Sequence, residues 1–176
     1  LQMGNVWRAD RPQRGRYRQF MQCDIDILGE PSNLAEIELI LATTTTLGKL
    51  GFENFQIRIN ERRILKAMAA YSGFAEESYD TVFIILDKMD KIGAEGVAAE
   101  LIEKGFAADT VKKFTDLMSI SPFTLDEAEK YCEDKAPVES LRYIIDTVGK
   151  LAGDSFSIVY DKSLVRGQGY YTGTVF

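Results

Sequence analysis

Between residues 16 and 27 the chain alternates. Tyr17, Met21, Cys23, Ile25 and Ile27 fall on one face, and Arg16, Arg18, Phe20, Gln22, Asp24 and Asp26 on the other. A period of two predicts a strand, with the apolar face turned to a core and the opposite face presenting a polar row with one aromatic. Residues 3–10 alternate more weakly and predict a second strand, and Arg11-Pro-Gln-Arg-Gly15 between them predicts a loop, so the segment should form an antiparallel hairpin. Asn33 followed by Glu36 has the spacing of a capping box, and Leu34, Ile37, Ile40 and Leu41 give the helix behind it an apolar face, ending near Gly48 or Gly51. Phe55 to Asn60 alternates again as a strand.

After Asn60 the period changes. Ile64–Tyr71, Thr81–Lys91, Ala94–Lys104 and Thr110–Met118 are amphipathic helical runs. Thr124 with Glu127 predicts another capping box, and Pro137 opens a last helix carrying Leu141, Ile144, Ile145 and Val148. Strand character returns at Phe156–Tyr160 and at Leu164–Phe176. The chain therefore divides into strands with one helix over 1–60, a helical insertion over 61–152 whose apolar stripes predict a core of its own, and a return to strand over 153–176. The class is α+β, with strands before and after the insertion expected to share one antiparallel sheet.

Composition narrows the chemistry. Hydrophobic residues make up 45% of the 176, enough for a packed core. No apolar run approaches the ~18–20 residues of a membrane span, and no signal peptide is visible, so no membrane partner is expected. Cys23 and Cys132 are the two cysteines, far apart, as in a protein of the reducing cytoplasm with free thiols. Histidine is absent, which removes Ser-His-Asp and Cys-His machinery and every histidine-based metal site from this segment; no protein-bound metal is expected. The chain begins without Met and ends in Tyr-Tyr-Thr-Gly-Thr-Val-Phe, which suggests an internal piece of something longer.

Charge locates the candidate site. The formal net charge is −6, yet Arg8, Arg11, Arg14, Arg16 and Arg18 stand against Asp10 alone in the first strand and loop. Arginine concentrated on an acidic protein points to a local anionic ligand, and the planar guanidinium fork suits paired phosphate or carboxylate oxygens. At ~3.4 Å per residue, Arg16 to Gln22 would span roughly 20 Å of one face. Arg16 and Arg18 could hold phosphates, Phe20 could stack on a base, and Gln22 and Asp26 could hold a polar, partly cationic group. Arg8 and Asp10 share a parity on the preceding strand. That order suits a site joining ATP to a small amine-bearing acid. A solvated or RNA-touching face is the plainer reading of the arginines, and an exposed polar strand face that of Gln22 and Asp26.

The run Trp7-Arg8-Ala-Asp-Arg-Pro-Gln-Arg-Gly-Arg-Tyr-Arg-Gln-Phe20 resembles motif 2 of class II aminoacyl-tRNA synthetases. Gln22-Cys-Asp-Ile-Asp26, Phe55-Gln-Ile-Arg-Ile-Asn-Glu-Arg62 and Leu164-Val-Arg-Gly-Gln-Gly-Tyr-Tyr-Thr-Gly-Thr-Val-Phe176 narrow the resemblance to the histidyl-tRNA synthetase family. It implies an antiparallel sheet of the class II type interrupted by a helical insertion. It also implies activation of histidine by ATP, with Mg2+ accompanying the triphosphate, transfer to tRNA, and a homodimer for the full-length protein. By resemblance, Arg8 bridges the amino acid carboxylate and the ATP α-phosphate, Asp10 reads the adenine amino group, Arg16 binds the triphosphate and Phe20 stacks on adenine. Gln22 and Asp26 receive the amino group and imidazole, Arg166 acts on the α-phosphate, and Tyr170 and Tyr171 line the histidine pocket. Arg8 and Arg166 are thus the implied catalytic pair, and both also belong to the histidine site.

Two departures from the commonest bacterial pattern stand out: Asp26 where Glu is frequent, and Gly169 where an acid is usual. The segment lacks motif 1, motif 3 and an anticodon-binding domain, so alone it is expected to be inactive. A contact between the helical insertion and tRNA is a family-level expectation. The alternative within the same resemblance is the regulatory subunit of ATP phosphoribosyltransferase, a non-catalytic, histidine-sensing paralogue. A free-standing RNA-binding helical module is a third reading, one that predicts salt-sensitive RNA affinity without ATP binding.

Overall fold

The computed structural model describes residues 1–153, 155–166 and 171–176. Strands β1 (Gln2–Trp7) and β2 (Gln19–Asp24) are followed by helix α1 (Leu34–Lys49) and strand β3 (Phe55–Glu61). Helices α2 (Arg62–Ser72), α3 (Tyr79–Leu86), α4 (Met89–Glu103), α5 (Ala108–Ser119), α6 (Leu125–Glu129) and α7 (Ala136–Ala152) come next, then β4 (Phe156–Tyr160) and β5 (Thr174–Val175). The architecture is α+β. Among the described residues no helix is long and apolar enough to cross a membrane.

The predicted hairpin is present but shorter than the alternation suggests. β1 and β2 pair antiparallel, with Gly4 opposite Gln22 and Val6 opposite Phe20, and β2 begins at Gln19. Arg16 lies outside the strand. It and Gln13 exchange two backbone hydrogen bonds, of 2.9 and 3.2 Å, around Arg14-Gly15. Gly15 has φ of +77°, a conformation glycine takes without strain. The expectation that the apolar face of β2 is core is overturned: Met21 is 58% exposed and Trp7, on the same side of the partner strand, 68%. A two-stranded ribbon buries a face only if another layer covers it, and among the described residues none does. The polar face is the half-buried one, at Phe20, Gln22 and Asp24.

α1 forms where its apolar spacing places it, but not through a capping box. The Asn33 side chain accepts a 2.7 Å hydrogen bond from the Ser140 hydroxyl of α7, while the Leu34 amide uses Ser32 Oγ at 3.3 Å. A tertiary partner has taken the side chain that local spacing assigned to the helix end. At α6 half of the second box holds: Thr124 Oγ1 accepts from the Glu127 amide at 3.2 Å, while the Glu127 carboxylate turns to Lys130 and Tyr131. α4 is interrupted at Gly93, which sits at φ +70°, close to where the sequence reading starts that helix, at Ala94.

Among the described residues only β3 of the strands before the helical block shares a sheet with those after it, in the order β4-β3-β5, while β1 and β2 form a separate two-stranded sheet; the expected single sheet is divided. The three-stranded sheet is mixed: β4 lies parallel to β3, with Phe55 opposite Phe156, and β5 lies antiparallel, with Asn60 opposite Val175. Parallel pairing needs a long crossover, and the helical block between β3 and β4 supplies one. The core does not divide at residue 61. One apolar cluster runs from Ile37 and Ile40 of α1 through Ile59 of β3 to Phe83, Leu101 and Phe114 of the helical block, and on to Ile144 of α7. Phe74 meets Phe106 and Phe114 edge to face, with centroids 5.1 and 5.4 Å apart.

A polar junction ties the block to the sheet. Arg58 of β3 pairs with Asp161 just beyond β4, reaches Ser163 Oγ at 3.3 Å and meets Asp90 of α4 at 3.5 Å. Burial by itself raises the Asp161 carboxyl. The Ser163 hydroxyl, the Arg58 guanidinium and the Ser163 amide outweigh it and hold the group below its ordinary 3.8. A depressed carboxyl stabilises the fold above the unfolded-state pKa, and that contribution fades as pH falls through the folded-state value. Asp161→Asn is therefore expected to cost about 1–3 kcal/mol at pH 7. Denaturant titrations should show the gap between parent and variant closing below about pH 4; a gap unchanged down to pH 2 would mean that the ionised carboxylate is not what matters.

Candidate functional site

The hairpin assembles one group of candidate residues. Arg8 follows β1 and donates its amide to the Arg18 carbonyl at 2.8 Å, extending the ladder by one step. This keeps Arg8 on the same face as Phe20 and Gln22. Its guanidinium carbon lies 5.2 Å from the Phe20 ring centroid, and Nη2 donates to Gln22 Oε1 at 3.0 Å. Gln22 Nε2 in turn donates to both oxygens of Asp24, at 2.8 and 2.9 Å. The amide is thus held at both ends, and Arg8 is oriented by a ring beneath it and an acceptor beside it. Arg8 is exposed and its bond to Gln22 uses Nη2, so Nε and Nη1 could meet an anion.

The remaining hairpin residues are less gathered. Arg18 Nε donates to the Asp10 carbonyl at 3.2 Å, which folds the loop back on itself. Arg16 sits at the small turn and is exposed. Asp26 lies past the end of β2 and is also exposed. The regular alternation stops at Asp24, so parity no longer dictates the direction of later side chains. Asp24, which holds Gln22, was on the predicted face but was not singled out. Its parity was the available signal.

A second group surrounds a 320 Å³ cavity lined by Ala35, Glu36, Leu39, Arg166, Tyr171 and the β5 end of the chain. The Arg166 guanidinium carbon lies 5.9 Å from the Tyr171 ring centroid. Glu36, read in the sequence as a capping-box acid, faces this cavity instead, and its Oε2 is buried without a hydrogen-bond partner. Such an oxygen carries a desolvation cost that a donor from a ligand would relieve. Tyr170 and Gly169 lie outside the described residues. Among the described residues no hydrogen bond, ion pair or ring contact joins Arg166 to the hairpin group. A larger cavity of 640 Å³, between α2 and the stretch from Lys130 to Pro137, contains none of the predicted site residues.

The turn from β3 into α2 is a third feature. Asn60 and Glu61 are fully buried, and Arg62 is 3% exposed. Glu61 caps α2 by accepting from the Arg63 amide at 3.1 Å, and it is gripped by the Arg63 guanidinium at 3.0 and 3.1 Å. Three polar residues in succession at the end of an alternating apolar strand were the signal; Asn60 was read as the strand's end and Glu61-Arg62 as part of the family-like segment, and none of the three was assigned a role.

A sequence profile described as histidyl-tRNA synthetase matches residues 2–176. The chain belongs to the histidyl-tRNA synthetase family. A histidine–tRNA ligase from Leifsonia xyli subsp. xyli is 45% identical over 188 residues, covering 100% of this chain and 43% of the relative. One from Flavobacterium johnsoniae is 38% identical, covering 99% of this chain and 38% of the relative. The chain therefore spans about two fifths of the length of these family members. The crystal structure of histidyl-tRNA synthetase from Nostoc sp. PCC 7120 superposes with a TM-score of 0.79 at 27% identity, covering 98% of this chain and 41% of that one. A Bacillus halodurans C structure, described as an ATP phosphoribosyltransferase regulatory subunit/histidyl-tRNA synthetase, superposes at 0.75 with 18% identity, covering 98% of this chain and 45% of that one. At that identity the likeness is one of fold.

Proposed function

We propose that a protein of the relatives' length carrying this chain activates histidine with ATP and transfers it to tRNA. The histidine carboxylate attacks the α-phosphorus in line; the bond to the β-phosphate oxygen breaks, and pyrophosphate leaves with its electron pair. The adenylate then passes its acyl group to a hydroxyl at the tRNA end, and AMP is released. The substrate brings the nucleophile, so the protein has to position two anions and stabilise charge on the phosphoryl oxygens. The observation that carries this reading is Arg8, exposed and held by Phe20 and Gln22. In this scheme Arg8 bridges the substrate carboxylate and the α-phosphate, and Arg166 meets the α-phosphate from the Tyr171 side. Arg16 at the turn takes the triphosphate, and Phe20 offers the base a flat apolar platform. Asp10 reads the adenine amino group, and Gln22, Asp26, Tyr170 and Tyr171 receive histidine.

Magnesium enters as part of the ATP substrate. The helical insertion over 61–152, a cytoplasmic location and a homodimer belong to the same proposal, and the 176-residue segment alone is expected to form no measurable adenylate.

The test is histidine-dependent exchange of labelled pyrophosphate into ATP by the longer protein. Exchange that needs histidine supports the proposal. Histidine binding without exchange points to a regulatory subunit of the kind named for the Bacillus halodurans relative.

A further inference from the structure

Asn60, Glu61 and Arg62 bind both flanks of the stretch that carries the paired tyrosines. On the upstream side, Asn60 Nδ2 donates to the carbonyls of Lys162 at 3.2 Å and Leu164 at 3.0 Å, and Arg62 Nη1 donates to the carbonyl of Arg166 at 2.8 Å. On the downstream side, the Arg62 amide donates to the Gly173 carbonyl at 2.9 Å, and Glu61 Oε2 accepts from the Thr174 hydroxyl at 3.3 Å. Arg62 is thus attached on both sides, through its side chain to Arg166 and through its backbone to Gly173.

The other half of the Arg62 guanidinium belongs to the helical block. Nη2 donates to Asp80 Oδ1 of α3 at 2.8 Å, and the guanidinium carbon lies 5.1 Å from the Phe83 ring centroid on the same helix. Stability alone does not account for this arrangement. Burying a guanidinium costs several kcal/mol, and an apolar side chain of similar volume usually serves the fold as well. The Asp80 carboxylate is 68% exposed, so the ion pair adds little to folding. A planar fork does what an apolar side chain cannot: it fixes a carbonyl on one element relative to a carboxylate on another.

We propose that Arg62 is a positioning residue through which α3 of the helical block sets Arg166 and Tyr171 in the adenylation site. The inference rests on the adenylation reading for its consequence and on the hydrogen bonds for its mechanics. Through these contacts a shift of α3 would carry the Arg62 guanidinium with Asp80 and Phe83, and the Arg166 carbonyl with it.

Two variants of the longer protein test it, Asp80→Asn and Arg62→Lys. Asp80→Asn removes an exposed carboxylate and should leave the melting midpoint where it was. It is expected to lower kcat for histidine-dependent exchange about three- to tenfold, with KM for ATP and histidine nearly unchanged. Amide hydrogen exchange should quicken in peptides covering residues 164–176 and stay as before in α5. Arg62→Lys should have the larger effect, and the double variant should be no worse than Arg62→Lys alone, because one linkage is being cut twice. Parental kcat and parental amide exchange in Asp80→Asn would overturn the proposal, as would losses that follow the melting midpoint across all three variants. A parent protein with no histidine-dependent exchange would defeat the adenylation reading, and the amide-exchange comparison would still judge the linkage.

Discussion

Replacing Arg8 with glutamine in the full-length protein is expected to lower kcat for histidine-dependent pyrophosphate exchange by about 10²–10³-fold, the usual loss when one preorganised electrostatic donor is removed. Glutamine keeps a donor and much of the stem but loses the charge and the fork. Arg8 is held on two sides, by the ring of Phe20 at 5.2 Å and the side-chain Oε1 of Gln22 at 3.0 Å, which under the adenylation reading would fix the guanidinium before substrate arrives. Lysine at this position restores the charge as a point but cannot grip two oxygens while resting on a ring, so Arg8→Lys should recover only part of the rate. The hairpin should stay folded in both, since Arg8 is exposed and its backbone bond to Arg18 does not depend on the side chain. A decrease of less than fivefold in Arg8→Gln would remove the central support for the adenylation reading.

The largest expected effect on stability comes from the helical block. Phe114 of α5 is fully buried and meets Phe74 edge to face, and truncation to alanine is expected to cost about 3–5 kcal/mol through lost burial and the cavity left behind. The informative part is where the loss is felt. Because Phe114 belongs to the same apolar cluster as Ile59 of β3, amides of β3 should lose protection together with those of α5 in Phe114→Ala. Protection lost in α5 alone, with β3 as in the parent, would mean that the helices unfold as a separate unit.

Much of the hairpin was legible from alternation. The parity that put Phe20 and Gln22 on one face is the parity that brings Arg8 over Phe20 and onto Gln22. The helices were legible too, with boundaries within a few residues at α2, α5 and α7. Glu36 was misread because local spacing cannot tell a carboxylate that turns back to its own helix end from one that faces a cavity closed by Arg166 and Tyr171. The exposed side of the hairpin was misread for a related reason. Apolar alternation marks a face suited to burial, and whether anything covers it depends on other layers.

The sequence by itself determined most of the helices and the cores of the strands, because backbone periodicity and turn chemistry act over a few residues, although the strand read over Leu164–Phe176 is present among the described residues only at Thr174–Val175. Its arginines, Phe20 and its lack of histidine suggested the kind of chemistry that the adenylation reading proposes for the site. Only the tertiary structure decided that β3 lies parallel to β4, that one core runs through the helical block, and that Arg62 bonds to a carbonyl 104 positions away. Those features depend on how chain closure and packing bring distant segments together. A buried donor such as the Arg62 guanidinium must find an acceptor wherever the fold supplies one, and nothing in its local sequence names that partner.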